Sequence, residues 1–171
     1  MSYISTLFPA YAEIFLLCMI GVVLLADMFL PGQTRTVTYL LTQVALLGCS
    51  LITVATHENG IAHLFNNMFV DDLMSDVLKL LTYLAVSMML VYSRSYLLVR
   101  GLFTGEFLSL ILLSTLGMMV MISASNFVTL YMGLEVLALS MYALVALQRD
   151  SAVATESAMK YFILGAMASG F

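Results

Sequence analysis

The sequence predicts an all-α, polytopic transmembrane helix bundle of about six helices, and three observations predict it. The 171 residues are 63% hydrophobic and 9% charged, with a mean hydropathy of +1.06. A soluble domain is about half apolar and about a quarter charged. The apolar residues fall in runs of about 20, the length that crosses a bilayer as a helix. The arginines Arg35, Arg94, Arg100 and Arg149 all fall in alternate connections between those runs. No long polar stretch offers a soluble domain, so residues 1–171 read as a single transmembrane domain. No basic patch suggests a nucleic acid, and the net charge of −4 reflects acids clustered in one loop.

The first span covers roughly residues 11–30 and ends at Pro31-Gly32. It has no basic stretch before it and no cleavage site after it, so it reads as a retained helix, not a signal peptide. The second covers roughly 36–56. A polar stretch follows, with His57, Glu58, Asn59, Gly60, His63, Asn66, Asn67, Asp71 and Asp72. The third covers roughly 74–92, before a loop with Arg94, Arg100 and Glu106. The fourth covers roughly 107–123, and Ser125-Asn126 makes a very short break. The fifth covers roughly 127–147, and Gln148-Arg149-Asp150-Ser151 makes a tight turn. The sixth starts near Ala152 and is still apolar at Phe171, roughly 152–171. With no polar tail or basic anchor after it, the expectation is the front part of a longer protein.

Lysine and arginine concentrate on the cytoplasmic side of membrane proteins. The loops after helices one, three and five hold all four arginines, and the loop after helix two holds none. The N-terminus and the acidic loop are therefore expected outside.

Ionised groups within spans are rare and mark ion or proton routes, because each costs at least about 2.5–3.5 kcal/mol at the bilayer centre. Glu135 lies near the middle of helix five, with Tyr131, Leu139 and Tyr142 on its face by helical spacing. Lys160 lies at similar depth in helix six, offset by roughly 5 Å. Two readings of Lys160 stand: a relay partner of Glu135, or a local pair with Glu156 four residues earlier. Lys79, near the outer start of helix three with Asp76 three residues away, is expected to snorkel and help position the helix. Glu13 and Asp27 are expected at the interfaces. His57 and His63 lack a metal-ligand pattern, and Cys18 and Cys49 are expected to be packed thiols rather than a disulfide. The 14 methionines fall mostly in the spans and read as packing. Gly117, Gly133, Gly165, Ala166 and Gly170 suit close helix contacts. No nucleotide loop, Ser/His/Asp set or haem-ligating histidine is present, so the chemistry expected is transport or coupling.

Two segments carry a resemblance. Residues 126–140 include Gly133-Leu134-Glu135 followed by Leu139 and Ser140, and residues 156–166 include Ala158-Met159-Lys160-Tyr161-Phe162. With the stretch from Asp72 to Lys79, they resemble the antiporter-like membrane subunits of respiratory complex I, the bacterial NADH–quinone oxidoreductase. Multi-subunit cation/proton antiporters and membrane-bound hydrogenases share the glutamate motif. The resemblance implies a fold of about fourteen helices, of which this chain is the N-terminal part. It implies proton translocation, with Glu135 as an electrostatic modulator and Lys160 on the same polar axis. It also implies no cofactor in this chain, with NADH, FMN, Fe–S clusters and quinone handled by other membrane and peripheral subunits of the complex. The lysine of helix seven that the family pairs with Glu135 is absent here. A structural scaffold without pumping of its own is the alternative.

Overall fold

The computed structural model describes residues 8–29, 35–57 and 62–171. The Pro31-Gly32 stop and Glu58-Asn59-Gly60 lie outside them, as do the side chains of Arg35 and His63.

Six helices follow the sequence reading closely: α1 (Tyr11–Phe29), α2 (Arg35–Thr56), α3 (Leu73–Val99), α4 (Gly105–Ile122), α5 (Phe127–Val145) and α6 (Ala152–Gly170). The expected polar loop between α2 and α3 contains an antiparallel hairpin, β1 (Ala62–Leu64) with β2 (Phe69–Asp71). Five helices, α1 to α5, are long and apolar enough to cross a membrane. The sixth is as long as α1 but carries Glu156 and Lys160 in its first half and is not among those five.

Side-chain oxygens start four helices by accepting from amides that have no intrahelical partner. Asp72 and Ser75 form a reciprocal capping box at α3. Thr104, Asn126 and Ser151 cap α4, α5 and α6. The third helix is a correction to the expected 74–92. It continues for two further turns to Val99, because Arg94 does not break it: its guanidinium stacks over the Tyr39 ring of α2, 4.7 Å from the centroid. The stop comes at Gly101, whose φ of +66° costs a glycine little. Leu102 N then bonds Leu97 O and closes the last turn.

The core gathers Leu16 and Val23 of α1, Leu46 of α2, Tyr83 and Leu90 of α3, and Leu112 and Met119 of α4. The fourth helix is central, packed on α1, α2, α3 and α5, and half its residues are buried. The fifth is peripheral, with 11% buried. Its contact with α4 is nevertheless very close. A Cβ on Gly117 would lie 2.7 Å from Leu137 N, and one on Gly133 would lie 2.9 Å from Gly117 O. Two facing glycines thus let the backbones of α4 and α5 touch, the small-residue contact expected of membrane helices.

The two ends of the bundle are closed differently. At one end, the hairpin is joined by the α4–α5 break: Val70 N bonds Ser123 O at 2.9 Å and Ser125 N bonds Met68 O at 3.1 Å. At the other, Arg149 of the α5–α6 turn meets Glu106 of α4 at 2.9 Å, and Asp27 packs against Gly105 in the first turn of α4. An acid at a helix N-terminus is favourably placed. These are called the hairpin end and the arginine end below.

Candidate functional site

Glu135 is the ninth residue of α5, close to its midpoint. Gly133 and Leu137 form the face against α4, and Glu135 is about 200° around the helix from both. It therefore points away from α4. It is half-buried and has no hydrogen-bond or ion-pair partner among the described residues. On its face, Tyr142 makes edge-on contacts with Tyr161 and Phe162 of α6, at 4.8 and 5.6 Å between centroids, and its hydroxyl lies against Gly165.

Lys160 is the ninth residue of α6. Its ammonium bonds Glu156 at 2.5 Å, the local i,i+4 pair, and both side chains are exposed. The structure brings Glu135 and Lys160 onto neighbouring helices and does not join them directly: Lys160 takes its own helix's carboxylate.

The most buried charge lies elsewhere. Lys79 is 1% exposed and does not snorkel, which corrects the sequence expectation. Its ammonium lies 2.8 Å from Glu13 Oε1 and 3.7 Å from Asp71 Oδ1. It also sits over the Phe69 ring, 5.0 Å from the centroid. Glu13 is buried within the bundle, and Asp76 pairs with His57 Nδ1 at 2.8 Å instead of with Lys79.

Local structure assembles this cluster. Alternate residues of a strand share a face, so β2 delivers Phe69 and Asp71 together to Lys79. On α3, residues 76, 79, 83, 86, 90 and 97 are all buried, so the helix's core-facing stripe runs through Asp76 and Lys79. The first turn of α1 supplies Glu13, and the residue after α2 supplies His57. Below the lysine, Tyr83 OH and Thr53 Oγ1 stand 3.5 Å apart. Neither Glu13 oxygen nor Asp71 Oδ1 receives an aligned hydrogen bond among the described residues. Burial pushes the Asp71 carboxyl up to about 6; Lys79 opposes the rise, and the negative charges of Asp76 and Glu13 add to it.

The stripe spacing was the signal that could have revealed Lys79 as a core residue; its nearness to the helix start drew attention to snorkelling instead. Of the cysteines, Cys49 is packed, with its thiol toward Ala12 O, while Cys18 is exposed on the outer face of α1. No group of three or more His, Cys, Asp or Glu among the described residues is arranged to hold a metal.

Comparison with known proteins converges on one group. Residues 124–171 match the family described as NADH:quinone oxidoreductase/Mrp antiporter, transmembrane. NADH-quinone oxidoreductase subunit N of Nitrosomonas europaea is 56% identical over 163 residues, which cover 95% of this chain and 34% of that protein. The subunit N of Methylovorus glucosotrophus is 52% identical over 167 residues, covering 97% of this chain and 35% of that protein. A chain of respiratory complex I from Thermus thermophilus, solved with bound aureothin, superposes with a TM-score of 0.73 at 25% identity, over 93% of this chain and 34% of that one. The chain thus spans about a third of the length of the curated relatives it matches, and over nearly its whole length it is similar to their subunit N.

Proposed function

We infer that this chain supplies one third of an antiporter-like subunit N of a bacterial NADH–quinone oxidoreductase. It takes part there in proton translocation coupled to electron transfer from NADH to quinone. The observation that carries this reading is the 56% identity to a subunit N across 95% of the chain. The subunit sits in the plasma (inner) membrane with all six helices spanning it, among the other membrane and peripheral subunits of the complex. NADH, FMN, Fe–S clusters and quinone belong to those partners. The arginine distribution supports an outer hairpin end and an outer N-terminus.

Glu135 acts in this reading as an electrostatic gate and Lys160 as a relay cation. An unpartnered carboxyl at mid-helix, turned away from α4, is free to answer a charge on a helix docked against the open face of α5. Lys160, tethered to Glu156, moves its proton toward Glu135 only by leaving that local pair.

The test uses the assembled enzyme. Glu135→Gln is expected to lower both proton pumping and quinone reductase turnover at least about tenfold, with the complex fully assembled. Near-normal rates would sink the gate. Lys160→Met should behave alike, and loss of assembly in place of rate would favour a scaffold. The matched family also takes in Mrp antiporters; sodium-dependent exchange without NADH oxidation would move the chain to that group.

A further inference from the structure

We propose that Glu13, Asp71, Asp76 and Lys79, with His57 as their contact with water, form a proton-binding site at the hairpin end, holding one exchangeable proton on Asp71. The site is separate from Glu135 and Lys160, and the inference does not depend on their roles.

Three buried carboxylates and one buried ammonium lie in the cluster. Glu13, Asp71 and Asp76 are each 8% exposed and Lys79 is 1% exposed. Lys79 reaches Glu13 and Asp71 and leaves a surplus of negative charge in a place that solvates it poorly. Glu13 Oε2 and Asp71 Oδ1 have no donor among the described residues. A bound cation would relieve this, and the geometry selects the proton. The ammonium already occupies the centre of the cluster, so a metal ion would be repelled by its like charge. A proton on a carboxyl neutralises the surplus and also supplies a donor.

Among the described residues, α1 brings Glu13 to the cluster; α2 and its end bring Cys49 and His57; β2 brings Asp71; and α3 with its cap brings Asp72, Asp76, Lys79 and Tyr83. The one acid of α4, Glu106, is at the arginine end. The raised Asp71 carboxyl agrees with a proton held there. His57 provides the exit: its side chain is 33% exposed, whereas Asp76 is buried. A proton passed from the Asp76 carboxyl to Nδ1 leaves an imidazolium, whose Nε2 proton then goes to water.

Dicyclohexylcarbodiimide reads such a proton, because it modifies protonated carboxyls in apolar surroundings. The assembled complex in membrane vesicles would be treated between about pH 5 and about pH 8, a range that brackets a carboxyl raised this far, and the adducts mapped by peptide mass spectrometry. The expected result is an adduct on Asp71 that falls several-fold with rising pH, with a midpoint of about 6. Lys79→Met removes the opposing cation and should move the midpoint up, and Glu13→Gln removes a like charge and should move it down. No adduct, a yield flat in pH, or an adduct confined to other carboxyls overturns the proposal. The unaltered complex decides the matter even where a variant fails to assemble. Labelling needs no pumping, so its failure leaves the Glu135 reading standing, and the reverse holds too.

Discussion

Lys79 of α3 lies 2.8 Å from Glu13 of α1, and both are shut away from the surface. Two helices that do not follow one another in the chain are thus keyed together by opposite charges. Removing one partner of such a pair leaves the other uncompensated, at a cost of about 3–5 kcal/mol, whereas replacing both with apolar or neutral groups is far milder. Lys79→Ala should therefore lower the thermal midpoint of the purified subunit or abolish assembly. Glu13→Gln combined with Lys79→Met should recover most of the loss. A double-mutant cycle measures the coupling; additive effects would show that the pair is not coupled.

The hairpin should grip the bundle more firmly in mild acid. Folding raises the Asp71 carboxyl from 3.8 to about 6, so between those values the folded form holds more protons than the unfolded one. Stability from this group is complete below about 3.8 and is lost as pH rises through about 6. Hydrogen exchange at the Val70 and Ser125 amides, corrected for the intrinsic pH dependence of exchange, should show greater protection at the acid end of that window. In Asp71→Asn the protection should not change across it.

The α4–α5 contact tolerates no side chain. At Gly117, a methyl group would meet the Leu137 backbone, which has no rotamer to change. Gly117→Ala is expected to destabilise by about 1–3 kcal/mol through overpacking. At Gly21, where nothing lies within 4 Å of a new Cβ, the same substitution should be neutral or slightly stabilising, since alanine favours the helix. Comparing thermal midpoints of the two variants checks both; equal losses would argue against backbone contact.

Gly165 makes room for a hydroxyl. The Tyr142 oxygen occupies the space where a Gly165 side chain would go. Gly165→Ala should loosen α6 from α5, and adding Tyr142→Phe should recover only part of the fit, because the ring's Cζ would still lie 2.7 Å from the new Cβ. Disulfide trapping between cysteines introduced on the two helices measures the spacing. No relief at all from the second substitution would place the fault elsewhere.

Five of the six helices were legible in the sequence because a bilayer imposes one length and one polarity on each span, and the sixth because an apolar run follows the turn at residues 148–151. Their starts were legible because Asp72, Thr104, Asn126 and Ser151 have the short oxygen side chains that cap. The end of α3 was not, because reading Arg94 as a loop residue ignores the ring of Tyr39, which only tertiary packing brings beneath it. The cluster around Lys79 was hidden for the same reason. Its members come from residues 13, 57, 71, 76 and 79, and no local spacing links the first to the last. Glu135 stood out because it is a lone charge at mid-span. Its isolation in the structure follows from the face it occupies, and that face was fixed by Gly133 and Leu137 turning toward α4.

The two ends of the bundle differ in stiffness. Backbone hydrogen bonds sew the hairpin to the α4–α5 break, and each fixes a peptide plane. At the opposite end the α5–α6 turn meets α4 through the exposed ion pair between Arg149 and Glu106, whose long side chains can lengthen or part without disturbing a helix. Parting that ion pair would free the α5–α6 turn from α4 at the arginine end without breaking a backbone hydrogen bond, whereas opening the hairpin end breaks the bonds at Val70 and Ser125.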